Sequence, residues 1–171
     1  MAVKLNSFLI DLKLAWDFQN ILDGGNVSDV RKVTFSDSLS NGDGIDLATH
    51  VFFDERTVAA SATDNIDLAG SLKDTFGNTI TFTKIKGLYV WNKSTTVGDI
   101  ITLGGHATAA FINWVSDATD KVRVGPGGMI MLWLPSAAAY AVTATTGDLL
   151  SIIEVGTVNP VTYQIALVGV A

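Results

Sequence analysis

The chain has 171 residues, no cysteine, and 17 acidic against 11 basic side chains, a net charge of −6. These numbers exclude disulfides, thiol catalysis and thiolate metal sites. They also set the chain against nucleic acid, whose phosphates a net-acidic surface with scattered Lys and Arg repels. Hydrophobic residues make up 48% and charged residues only 16%, so we expect one domain with part of its surface covered by other subunits.

In chain order the first element is the clearest. From Phe8 to Phe18 the even positions are Phe8, Ile10, Leu12, Leu14, Trp16 and Phe18, while Asp11, Lys13 and Asp17 fall on odd ones. Period-two alternation predicts a long strand. A helix would break its apolar stripe at Ile10, Leu14 and Phe18. The same charges interrupt any secretory leader, and no apolar run approaches the ~18 residues of a membrane span; we therefore expect no membrane partner. A strand this long suits an arm that lies on a neighbour's sheet, so residues 1–27 are expected to form an assembly arm and its even positions an assembly interface.

After the turn Asp23-Gly24-Gly25-Asn26, short strands are expected at Val30–Ser36, Thr49–Asp54, Thr79–Lys84, Gly87–Asn92, Ile100–Leu103, Ala107–Val115 and Lys121–Val124. Four more follow at Met129–Leu134, Tyr140–Ala144, Leu149–Glu154 and Val161–Val168. Gly-, Asn- and Asp-rich turns separate them, and strand spacing of about 8–12 residues is that of a sandwich or barrel. The expected fold is all-β, an antiparallel jelly-roll-like sandwich over 28–171 with the extended N-terminal strand attached. Trp16 and Trp133, among apolar neighbours, are expected in the core.

Chemistry-bearing patterns are sparse. His50 and His106 lack a ligand-type spacing. Asn41-Gly42-Asp43-Gly44-Ile45-Asp46-Leu47 has the form of a single calcium β-roll repeat, but such repeats bind by stacking, so a plain Asx turn is the expected role. Gly125-Pro126-Gly127-Gly128 is followed by a strand and no Lys-Ser or Lys-Thr, unlike a phosphate loop. Asp54 and Glu55 are adjacent on a strand and point to opposite faces, so they cannot flank one glycosidic bond. We expect no enzyme, no cofactor and no metal. Trp91 and Trp114 are candidate surface aromatics, for a subunit interface or for stacking on a sugar ring.

Three stretches carry a resemblance: Asp64 to Gly77 (DNIDLAGSLKDTFG), Lys84 to Asn92 (KIKGLYVWN), and Val124-Gly125-Pro126-Gly127-Gly128 leading through Tyr140–Ala144 and Thr146–Leu150 to Val161-Thr162-Tyr163. In that order they resemble small proteins encoded among the structural genes of tailed bacteriophages and prophages, over about two-thirds of the chain. The resemblance implies a virion component made in the host cytoplasm, a capsid decoration or head-surface protein. Its expected partners are itself, as a homotrimer, and the major capsid protein or other virion proteins. The alternative expectation is a tail-associated, receptor-binding sandwich that recognises a host glycan.

Overall fold

The computed structural model describes residues 4–156 and 159–171, and these are all-β: twelve strands in three sheets, without a helix. The strands are β1 (Ser7–Leu22), β2 (Gly25–Asn41), β3 (Leu47–Ala48), β4 (His50–Val58), β5 (Thr63–Asp67) and β6 (Lys84–Asn92). There follow β7 (Ile101–Gly104), β8 (Lys121–Val124), β9 (Met129–Trp133), β10 (Tyr140–Ala141), β11 (Leu149–Glu154) and β12 (Val161–Val170).

The two larger sheets form the body. One runs β10-β6-β12-β4, with β9 also on β6, and the other runs β5-β11-β7-β8. The chain runs out through β4–β7, turns between β7 and β8, and runs back beside itself. That path gives the antiparallel pairs β7/β8, β6/β9, β5/β11 and β4/β12. Rolling this ribbon on itself adds the pairs β6/β12 and β7/β11. Alternation supplies one apolar face to each sheet, and both faces feed a single buried cluster. Phe52, Leu88, Val90, Ile165 and Leu167 come from the first sheet; Ile66, Ile101, Leu103, Leu150 and Ile152 come from the second. The result is sandwich-like.

An ion network ties the two sheets together at one edge. Arg56 Nε donates to Asp54 at 2.9 Å, its Nη1 reaches Asp64 at 3.1 Å, and Tyr163 Oη donates to Asp64 at 2.6 Å. Burial, then the bond to Asp64, pushes the Tyr163 hydroxyl well above its ordinary pKa. The β12 ladder slips by one residue at Val168/Gly169. Glycine is required there because a Cβ on Gly169 would stand 2.0 Å from the carbonyl oxygen of Lys84.

Strands β1 and β2 pair antiparallel along their whole length, from Ser7↔Ser40 to Leu22↔Gly25. Asp23 and Gly24 make the two-residue turn, which holds the register of such a ribbon. At ~3.4 Å per residue the ribbon is roughly 50 Å long. Among the described residues its ties to the body are at the base: β2 pairs with β3 at Ser40 and Asn41, and Leu39 is buried with Ala48 and Val168.

Several sequence expectations change here. The expected boundary at 27/28 falls inside β2, so what leaves the body is a two-stranded ribbon and not a single strand; residues 1–3 of the expected arm lie outside the described residues. Thr79–Lys84 is not a strand. Ile80 and Phe82 are buried as alternation requires, but their amides bond singly to the carbonyls of Leu72 and Leu68. Ala107–Val115 is mostly turns, joined to β11 by a single parallel bridge at Ala110↔Leu149, with Trp114 Nε1 donating to the Phe111 carbonyl at 2.9 Å. Conversely, β5 reads as polar, since Ile66 is the one apolar residue along Thr63–Asp67.

Candidate assembly surface

Residues directly opposite each other in an antiparallel pair share a face. The register therefore sorts the ribbon into two surfaces. One carries Phe8, Ile10, Leu12, Leu14, Trp16 and Phe18 from β1, with Leu39, Phe35, Val33 and Val27 from β2, and beside them the charged Asp37, Arg31 and Asp29, opposite Ile10, Trp16 and Phe18. The other carries Asp11, Lys13, Asp17, Lys32, Thr34 and five serines, with Leu9, Ile21 and Val30 as its larger apolar residues. The even-numbered residues named from sequence thus do share one face. Half of that face was invisible in a reading of β1 alone, because Val27, Val33 and Phe35 come from the returning strand.

Burial along this face falls with distance from the body. Ile10 is buried and Phe8 half-buried, whereas Leu14 is 55%, Trp16 42% and Phe18 73% exposed. Val27, Val33 and Phe35 are exposed too. Trp16 is accordingly not a core residue: its Nε1 lies 3.3 Å from Asp29 Oδ2 on the ribbon itself, and Asp29 also pairs with Arg31 at 2.8 Å. With ~200 Å² per aromatic side chain, the three exposed aromatics of this face, Trp16, Phe18 and Phe35, leave roughly 300 Å² open. The aliphatic residues bring the total to roughly 600 Å², the top of the range for the largest apolar patch on a monomer.

Trp133 fixes the base of the ribbon. It lies on the outer face of the first sheet, where Phe8 stacks on it at 6.0 Å between centroids, and its Nε1 donates to Asp37 at 2.7 Å. Trp133 is therefore half-buried outside the sandwich and not in its core. The apolar face of the ribbon meets the outer face of the sheet at this corner. Between them is a hollow of about 170 Å³ whose lining includes Phe8, Ile10, Tyr89, Met131, Trp133 and Ala166. Gly87 leaves room for it: a Cβ there would stand 2.7 Å from Val168 and 3.1 Å from Trp133. Beyond the hollow the same sheet face exposes Met129 (63%) and Phe53 (61%).

No family model, no curated protein and no solved structure matches this chain.

The other candidates are separate from this surface. Trp91 is half-buried on β6, with the Lys93 ammonium 5.9 Å from its ring centroid, while Trp114 packs on the core cluster with its N–H already bonded. They do not form one aromatic platform. Glu55 bonds Lys93 at 2.8 Å and Gln164 at 2.9 Å, and these bonds hold its carboxyl below the usual range. Asp54 turns instead toward Arg56, so the two carboxylates have different partners. In the 41–47 loop, Lys84 Nζ pairs with Asp43 at 2.9 Å and the buried Lys86 ammonium bonds the Gly44 carbonyl. Lysine cations thus engage the oxygens that would face a calcium ion. His50 bonds Thr49 at 2.9 Å, and His106 Nδ1 accepts the amide of Ala109 at 3.1 Å. Among the described residues, no three His, Asp or Glu side chains gather as a metal site.

Proposed function

We propose that this protein is a self-associating structural component of a tailed-bacteriophage virion, a capsid decoration or head-surface protein, whose ribbon is its assembly element. The observation that carries the assembly reading is the ribbon's exposed apolar face. A two-stranded ribbon is marginal in water by itself, and this one leaves Leu14, Trp16, Phe18, Val33 and Phe35 exposed in the single chain. A face of that kind is stable when another subunit covers it. The virion setting rests on the sequence resemblance.

The body is read as a jelly roll. Counting its main strands in chain order, β4 to β9 then β11 and β12, one sheet has the order first-eighth-third-sixth and the other second-seventh-fourth-fifth. That is the order produced when one long hairpin is rolled into two packed sheets, the plan of jelly-roll domains. Such a body leaves the ribbon free to contact neighbours, and repeated copies on a particle turn weak contacts into firm attachment.

The experiment is to replace residues 12–35 by a short Gly-Ser turn and follow both oligomeric state and particle incorporation. The expected result is a folded monomer absent from purified particles, with the intact protein found in their density by electron microscopy. Full incorporation of the shortened protein would refute the ribbon's role, and absence of the intact protein from particles would refute the virion setting. A receptor-binding role on a tail is the second reading, favoured only by the partly open Trp91 with Lys93 beside it. Glycan-array binding that disappears in Trp91→Ala would replace the first reading with it.

A further inference from the structure

The ribbon face and the corner hollow look onto the same side of the chain, because Phe8 and Asp37 of the ribbon face are held by Trp133 of the sheet. This geometry says what covers them. We infer that two copies of the chain clasp about a two-fold axis, the apolar faces of their ribbons packed against each other and Phe18 of each seated in the hollow of the other. The inference rests on the self-association reading above and names its partner as a second copy.

The register supports a reciprocal arrangement. The hollow lies beside Phe8 and Ile10, and the most exposed ring of the face, Phe18, lies further along the same strand. When two ribbons are laid face to face and antiparallel, the end of each reaches the base of the other. Lys13 and Leu14 are then near the axis, midway between hollow and ring. Leu12, Leu14, Val33 and Phe35 of both copies cover each other there, at the ~10 Å spacing of packed sheets. One symmetry operation thereby covers the ribbon face and fills the hollow at once, as a closed isologous pair requires. A head-to-tail ring would fill the hollow but leave the middle of each ribbon facing something else. The geometry thus favours a pair over the threefold expected from sequence.

Area is sufficient. The ribbon face offers roughly 600 Å², and the hollow with Met131 and Tyr89 brings each copy to about the 800 Å² that a standard interface takes from a partner. The occupants match as well: a planar apolar ring enters an apolar hollow beside Met131, whose unbranched side chain adapts to a neighbour.

The absence of cysteine makes the test direct. A full-length protein carrying Phe18→Cys and Met131→Cys has only those two thiols. Under mild oxidation the expected product is a covalent dimer on denaturing gels, closed by two bridges, whereas either single variant stays monomeric. Covalent trimers would overturn the two-fold. Failure to cross-link, in a protein that sediments as an oligomer, would overturn the clasp and leave self-association standing. A wild-type chain that is monomeric at every concentration would overturn both, including the case in which another virion protein covers the face. If the Met131 change disturbs folding, seen by circular dichroism, Phe18→Cys with Tyr89→Cys gives the same readings.

Discussion

Phe18→Ala separates assembly from folding. The ring is 73% exposed in the single chain, which for an aromatic side chain is roughly 150 Å². At ~25 cal/mol per Å², covering it against a partner is worth about 3–4 kcal/mol, or about 2–3 kcal/mol after allowing for the Cβ that alanine keeps. A two-fold pair has two such rings, so the loss is about 4–6 kcal/mol per dimer, a weakening of about 10³- to 10⁴-fold. Within its own chain the ring supports little, and surface substitutions of this kind change stability by no more than about 0.5 kcal/mol. For a chain of this length that is a shift of about 2 °C or less. Sedimentation velocity over a dilution series reads the first quantity, and thermal unfolding at a concentration where the protein is monomeric reads the second. A Tm lowered by many degrees with association unchanged would show that Phe18 belongs to the core of its own chain, and the argument would fail.

Trp133→Leu should free the base of the ribbon by removing both the stack on Phe8 and the bond to Asp37. Hydrogen exchange is expected to accelerate in 7–41 while β6 and β12 stay protected; equal acceleration throughout would mean that Trp133 holds the body instead. Gly169→Ala places a methyl group against the Lys84 carbonyl and should cost about 2 kcal/mol or more, seen as a Tm lower by several degrees. An unchanged Tm would mean that the slipped register of β12 is not needed. Tyr163→Phe removes a hydroxyl bonded to a carboxylate and should cost about 1.5–3 kcal/mol at neutral pH. Because folding holds that hydroxyl's pKa above its ordinary value of 10.0, its contribution is complete below about pH 10 and is lost as pH rises further. The wild-type advantage over Tyr163→Phe should therefore shrink above pH 10, and urea titrations at pH 8 and pH 11 that give the same difference would contradict this.

Local sequence determined the strands that bury one face and expose the other. Period-two alternation marks Phe8–Phe18, Lys121–Val124 and Val161–Val168 because each residue's direction follows from the pleat alone. It failed at Ile80 and Phe82, which alternate in burial without a ladder partner, and at β5, whose outward residues are all polar and whose inward signal is one isoleucine. Apolar neighbours alone point Trp16 and Trp133 to the core, yet an apolar strand also arises where a second subunit is to cover it. In the assembly reading proposed above, the shortage of charge in the composition points to such a surface but gives it no address. Tertiary structure decided the address. The Asp23-Gly24 turn was legible, but only the pairing it sets brings Val33 and Phe35 beside Leu12 and Leu14, and only the anchoring at Trp133 turns that face toward the hollow over Gly87. Alternation is a property of neighbours in sequence. A shared face and a hollow are properties of residues far apart in it, and those depend on which strands pair and where the ribbon leaves the sheet.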